Sequence, residues 1–471
     1  MFVRNRRIFA TLASLYAGAA LLAPLSSSAA SAPSVGRSCS KAGASASPST
    51  GVSLVCSKRG AGRLVWTATV LAPVAAPLTP AVAAPTRNTT DSCVTDAASG
   101  TDLFPDKASI TDAKGLTITY EKNYKVVRVP VPWRGAKSGF TYVLNQCGTK
   151  APTLTGDLAG ATVISIPIRT ASIMSTTLAP QFDALGQADK IVAVDTPAFY
   201  STASVAKRIT SGAVKGTGGG AKANIELLVT LKPDVVITYG TGSGSFDGID
   251  KLLSAGLPAL VEAGYMEETP LGRAEWVKLI GALTNQETKA NSEFARWKSD
   301  YRALAAKVAN VNQRPVVISG SMYQGTWYMP GGKSFAAQYI RDAGGAYPWS
   351  TDNSTGSLSL DFEAVLDKGY DATVWVNAGY QWNSLSDALA QDTRYARLPS
   401  FRAGNVFGND KRVNATGGSD YFETAVVRPD HVLADMISVV HPEIDLKSGP
   451  PRGSVESASN AAHRQPYPFG H

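Results

Sequence analysis

Asn224-Ile225-Glu226-Leu227-Leu228-Val229-Thr230-Leu231-Lys232-Pro233-Asp234-Val235-Val236-Ile237-Thr238-Tyr239 is the stretch on which the fold turns. Its first half reads as a helix over 224–231. Its second half, from Pro233, reads as a strand whose apolar residues run on without alternation. A short continuous apolar strand next to a helix belongs in a parallel sheet covered on both faces. The pattern repeats outward. Apolar β-type runs at 161–166, 191–194 and 258–261 alternate with helical stretches near 176–186 and 246–255. A second block follows, with strands at 315–319, 372–376 and 405–407 and helices at 335–343, 384–390 and 432–440.

Between the blocks, residues 286–309 contain neither Gly nor Pro. Ala290, Phe294, Trp297, Tyr301, Leu304 and Val308 recur on one helical face. This predicts one long linking helix, a strut between two α/β lobes, and not the seam of a coiled coil, because the e/g positions carry no charge code. The predicted fold class is therefore α/β, two lobes, each a mostly parallel sheet flanked by helices, joined by one long backbone helix. The expected organisation is an export leader over 1–84, a β-rich N-terminal extension over 85–154 and a first lobe over 155–285. The linking helix follows over 286–310, the second lobe over 311–445 and a disordered polar tail over 446–471. The extension has β-type runs at 116–120, 125–131 and 141–144.

The formal net charge of the 471-residue chain is +8. Residues 1–92 hold nine Lys/Arg and one acid, Asp91, so the leader accounts for the whole excess. The rest of the chain is neutral. Nucleic-acid binding rests on clustered Lys/Arg, and no nucleic-acid partner is expected. Arg4, Arg6 and Arg7 precede an apolar run, and Ala30-Ser31-Ala32 offers a cleavage site, the parts of a signal peptide over 1–32. A membrane span is the alternative, although the run is short and Pro24 interrupts it. A second apolar run, 64–84, follows Lys58, Arg59 and Arg63 and ends in Ala81-Val82-Ala83-Ala84. Either this run is the working signal, or the leader is a compound address of the kind carried by plastid proteins, with a thylakoid lumen as destination. Both place the mature chain outside the cytosol, in a periplasm or another extracytoplasmic space. Cys39 and Cys56 fall in this leader. Cys93 and Cys147 are expected to form a disulfide.

Several motifs resemble one family. Asn224 to Ile237, with Leu231-Lys232-Pro233-Asp234, is similar to a signature of periplasmic substrate-binding proteins that serve iron-siderophore, haem and cobalamin ABC transporters, the class III, helical-backbone type. Residues 175–194 resemble that family's first helix and second strand. Pro270-Leu271-Gly272-Arg273-Ala274-Glu275-Trp276 looks like a stretch of one iron-complex branch, and residues 325–332, 342–345 and 417–421 are similar to its second lobe. The resemblance implies a solute-binding protein that captures a metal chelate in an inter-lobe cleft and delivers it to an ABC permease. It implies a monomer with no intrinsic cofactor.

Open α/β sheets bind at the carboxyl ends of their strands. Ligand candidates chosen on that rule are Arg169, Thr170, Ser172, Tyr200, Tyr239, Tyr265, Trp327, Tyr328, Tyr380, Trp382, Arg412, Tyr421 and Arg428. Tyr and Trp offer rigid contact area, and Arg offers fixed donors for carboxylate or catecholate oxygens. Arg273 is expected to be structural, paired with Glu275 or another acid. The family docks through one acid on each lobe, which by resemblance are Glu363 and, at a different register, Asp183. With four histidines in the chain, a His-based metal site is not expected. An exported enzyme or sensor is the rival reading. Against it, Gly216 to Gly220 lacks phosphate-loop spacing and no G-x-S-x-G elbow occurs. Asn88, Asn353 and Asn414 lie in N-x-S/T sequons.

Overall fold

The computed structural model describes residues 32–47, 52–68, 84–95, 100–378, 382 and 384–446. The predicted signal, most of the second apolar run, the tail and Tyr380 lie outside the described residues. The chain divides into two units, one ending at Ala81 and the other starting at Val82.

In the first unit β1 (Ser45–Ala46), β2 (Leu54–Arg59) and β3 (Arg63–Ala68) form a three-stranded antiparallel sheet, tied by a Cys39–Cys56 disulfide. Part of the stretch expected to be leader is thus folded. The start of the second apolar run, from Leu64, is a strand. It pairs with β2 across a turn in which Ala61 and Gly62 take positive φ. Leu54, Cys56 and Val65 are buried in a small core. The disulfide lets so few apolar side chains hold a fold.

The second unit opens with β4 (Thr117–Tyr120), β5 (Tyr124–Val129), β6 (Phe140–Gln146) and β7 (Thr162–Ile166) in one sheet. β7 was expected to start the first lobe. Instead it runs parallel to β6, from Tyr142 opposite Thr162 to Gln146 opposite Ile166, so the extension continues past residue 154. Cys93 and Cys147 form the expected disulfide.

The first-lobe sheet contains β8 (Ala171–Ile173), β9 (Ile191–Val194), β10 (Lys215–Gly216), β11 (Val235–Thr238) and β12 (Ala259–Val261). All are parallel, in the order β10-β9-β8-β11-β12. Around them lie α1 (Ala179–Ala184), α2 (Ala203–Thr210), α3 (Ile225–Leu231) and α4 (Ile249–Ser254). The deciding stretch behaves as read. Asn224 Oδ1 accepts from the Leu227 N–H at 3.0 Å and opens α3, and Lys232 ends it in the left-handed region before Pro233. Val235, Val236 and Ile237 of β11 run on without alternation because both its faces are covered. Val235 and Ile237 join the large first-lobe core, while Val236 packs with Leu228 of α3 and Leu252 of α4.

Next come α5 (Pro270–Glu275), α6 (Val277–Thr284) and the strut α7 (Glu287–Val308), a helix of 22 residues. Ala290, Phe294 and Trp297 of α7 sit in the first-lobe core, and Tyr301 and Val308 sit in the second. One amphipathic face thus serves both lobes. The second lobe contains β13 (Val317–Ser319), β14 (Met322–Tyr323), β15 (Thr326–Pro330), β16 (Ser357–Leu360) and β17 (Val374–Val376). β13 and β17 are parallel and are extended by parallel bridges to Ala346 and Val406, whereas β14, β15 and β16 form a separate antiparallel sheet. Its helices are α8 (Phe335–Asp342), α9 (Phe362–Lys368), α10 (Leu385–Gln391), α11 (Pro399–Arg402), α12 (Thr424–Val427) and α13 (Pro429–Val440). Leu446, expected in the tail, is buried in this lobe's core. Asn88 is buried, and its amide donates to Glu287 Oε2 and to the Asp106 carbonyl, so that sequon is occupied by packing. Among the described residues no helix is long and apolar enough to cross a membrane.

Candidate functional site

The extension is fastened to the first lobe by buried polar groups. Lys125, fully buried, donates to the Ala282 carbonyl, to Asn285 Oδ1 and to Glu287 at the start of α7. Glu275 Oε2 accepts from the backbone N–H groups of Asp112 and Ala113 at 2.6 and 2.8 Å and pairs through Oε1 with Lys278. Glu267 accepts from Lys114 and Gly115 N–H and from Trp276 Nε1. The acids of the 267–276 motif therefore hold the 111–115 loop.

The two lobes meet where the strands end. Beyond β9, Ser201 and Thr202 donate their backbone N–H groups to Glu423, which is fully buried, and the Thr202 hydroxyl donates to the same carboxylate. Asn414 Nδ2 donates to the Ala198 and Tyr200 carbonyls. The carboxyl ends of the first-lobe sheet thus face loops of the second lobe, and the space between them is the candidate cleft.

Exposed aromatic side chains follow the first-lobe strands. Tyr239 follows β11 and Tyr265 follows β12, with the Tyr265 hydroxyl donating to the Gly240 carbonyl at 2.6 Å. Phe199 and Phe246 are exposed on neighbouring loops, and Tyr323 is exposed on the second lobe, its ring 6.5 Å from that of Tyr328. Burial pushes the Tyr239 phenol up, with Asp195 and Asp247 adding to the effect, and pushes Tyr265 up to about 12.

Arg273 does not pair with Glu275. Its guanidinium crosses to the second lobe and lies 4.6 Å from the centroid of the Phe335 ring. Among the described residues it makes no ion pair. Around it are Glu262, at the carboxyl end of β12, and Tyr339 and Tyr421 of the second lobe. Burial raises Glu262 to about 7, against the pull of the Gly264 N–H and Arg273. Burial also raises Tyr421, to about 12.

The arginines chosen from sequence fare differently. Arg169 and Thr170 precede β8, at the amino end of the sheet, and their N–H groups bind Asp234 there; they are remote from the cleft. The difference follows from β7, which pairs with β6 in the extension's sheet and is not the first strand of the lobe. Ser172 is fully buried inside β8. Arg412 pairs with Asp420, and Arg428 pairs through two nitrogens with Asp430 at 2.9 and 2.6 Å. Trp327 and Trp382 are core residues. Trp327 is fully buried against Trp375 and Tyr395 and donates to the Ser319 carbonyl, and Trp382 donates to Gln391. Tyr200 is buried, its hydroxyl on Asp195. Glu363 is exposed and pairs with Arg397, and Asp183 accepts from Ser204.

A cavity of about 150 Å3 opens in the second lobe and brings Arg412 and Tyr421 together with Asn377, Phe407, Asn409 and His431. Both polar atoms of the Asn409 side chain are buried without a partner. Nothing in the local sequence marks Asn409, Glu262 or Arg273 as site residues. Glu262 was the most accessible to sequence reasoning, since it directly follows a strand. Among the described residues no group of His, Cys, Asp or Glu gathers to hold a metal ion.

The model of a family described as periplasmic binding protein matches residues 173–413, more than half of the chain, and the chain belongs to that family. An uncharacterized lipoprotein of Methanocaldococcus jannaschii is 24% identical over 350 residues, spanning 69% of this chain and 80% of the relative. A second uncharacterized lipoprotein of the same organism is 24% identical over 318 residues, spanning 65% of this chain and 77% of the relative. Among solved structures, the periplasmic haem-binding protein of Vibrio cholerae aligns with a TM-score of 0.46 and 17% identity, covering 58% of this chain and all of that one (100%). The periplasmic vitamin B12-binding protein of Vibrio cholerae aligns with a TM-score of 0.41 and 16% identity, covering 58% and 97%.

Proposed function

We propose that this chain is an extracytoplasmic solute-binding protein that holds an iron-siderophore, haem or corrinoid-like chelate between its lobes and passes it to an ABC permease. One observation carries the reading. Exposed Tyr239 and Tyr265 stand beyond the carboxyl ends of the first-lobe strands, and Arg273, with no ion pair among the described residues, reaches across to Phe335 of the second lobe. Aromatic faces suit a large planar or catecholate ligand, and a guanidinium over an aromatic ring suits its anionic groups. The metal arrives inside the chelator. Relatives named as lipoproteins support a place outside the cytoplasm. Glu363 and Asp183 are the proposed docking acids on the two lobes.

The test is titration of intrinsic tryptophan fluorescence with a ferric tris-catecholate, haem and cyanocobalamin. Saturable quenching by one of them supports the proposal. Replacing Arg273 with Met should then weaken binding by about tenfold or more, the value of a charge-assisted hydrogen bond in a half-buried site. Failure of all three probes would remove the proposal.

A further inference from the structure

Residues 130–139 join β5 to β6 in the extension, outside the stretch that the family model matches. The loop stands at the carboxyl edge of the first-lobe sheet, since its Trp133 meets Gly240 and Gly242 just beyond β11. Trp133 lies there against Gly240 and Gly242. A Cβ at Gly240 would stand 2.3 Å from the indole and one at Gly242 2.7 Å from it, and Gly242 also has φ +80°. Only glycine at these positions leaves room for the ring. On its other side the indole tilts onto Phe140, with centroids 6.0 Å apart.

Arg134 comes next and is exposed. Its Nη1 reaches the second lobe, 3.6 Å from where a Cβ would stand at Gly356. Among the described residues no hydrogen bond or ion pair engages this guanidinium. The loop is not a loose flap. The extension that carries it is fastened to the first lobe through Lys125 of β5 and through the 111–115 segment held by Glu267 and Glu275, and is further tied by Cys93–Cys147.

We propose that the 130–139 loop is a third wall of the cleft, spanning both lobes, and that Arg134 selects ligands by binding an anionic group at their edge. This rests on the solute-binding reading above. A fork of N–H donors fits carboxylate or catecholate oxygens, and a rim arginine with no partner among the described residues can provide it.

The test compares Arg134→Glu with Lys190→Glu, which makes the same charge change beside the amino end of β9. Thermal melts check that both variants fold. Arg134→Glu should weaken a ferric tris-catecholate, which is anionic, by about tenfold, and cyanocobalamin, which is neutral, by under about threefold, with Lys190→Glu near wild type. If the wild type binds and Arg134→Glu binds equally well, or if Lys190→Glu loses as much, the selective role is overturned. If the wild type binds no probe, the solute-binding reading falls, and a ligand-free measurement decides on the wall. An Arg134→Cys/Gly356→Cys double variant treated with a short bismaleimide should cross-link within the chain, because the native cysteines are paired. Absence of that cross-link overturns the wall.

Discussion

Glu262→Gln separates the charge of the cleft carboxyl from its bulk. In the folded chain burial raises Glu262 from 4.5 to about 7. The folded value lies above the unfolded one, so the native state binds the proton more tightly. That contribution is complete below about pH 4.5 and is lost as pH rises through about 7. The interval between those values, at ~1.4 kcal/mol for each pH unit, sets a ceiling of ~3 kcal/mol on the effect. That value already includes the opposing pull of Arg273, which stabilises the ionised form. The assay is urea unfolding of both chains between about pH 5 and about pH 8.5, read as ΔG in water. Gln does not titrate, so the difference between the chains isolates position 262. Asp410 and Glu423, also raised by burial, cancel in it. Stability of the wild type relative to the variant should fall by ~1–3 kcal/mol across that range. A difference that stays flat with pH would show that Glu262 is ionised throughout, and burial would not be what governs its proton.

Lys125→Met should destabilise the protein by ~3–5 kcal/mol, because it leaves Glu287 buried with only neutral donors, Asn88 and Tyr120, and adding Glu287→Leu should recover most of the loss. Purely additive losses in a double-mutant cycle of urea midpoints would contradict that. Trp327→Ala should cost ~3–5 kcal/mol as a core truncation while folded molecules bind ligand normally; Tyr239→Ala should do the reverse. Melting temperature and ligand affinity, measured on both variants, separate the two roles. Glu423→Ala should leave the Ser201 and Thr202 N–H groups without their acceptor, at ~1–3 kcal/mol for each orphaned group, and should speed hydrogen exchange at those amides. Unchanged exchange would mean that the lobes are held together elsewhere.

The errors at the site share one physical origin. Trp327 and Trp382 were chosen because tryptophan near the end of a strand suits a chelate. Trp327 is core because Trp375 and Tyr395, from distant parts of the chain, close over it, and Trp382 packs into the same aromatic cluster. Arg169 was misplaced because one strand was assigned to the wrong sheet. Sequence spacing shows that 161–166 is a strand but not that its partner is β6, since pairing depends on contacts made over long separations. The small sheet at 45–68 was not legible for a related reason. A cysteine pair lets a short Ser- and Gly-rich segment fold, and composition alone does not reveal that pairing.

Local physics was legible in full. Asn224 before an apolar helix, Lys232-Pro233 at its end and an unbroken apolar strand after it define a parallel α/β unit, and the strut's spacing defines its buried face. These follow from backbone geometry and side-chain period, which act within a few residues. Charge assignment was legible too, since net charge is additive along the chain. The cleft was not. Whether an arginine meets a carboxylate depends on what the other lobe brings to it: Arg412 and Arg428 found acids, whereas Arg273, beside an acid in sequence, was turned away because Glu275 was already taken by backbone N–H groups of the extension. That competition for partners exists only once the extension, both lobes and the strut are packed together.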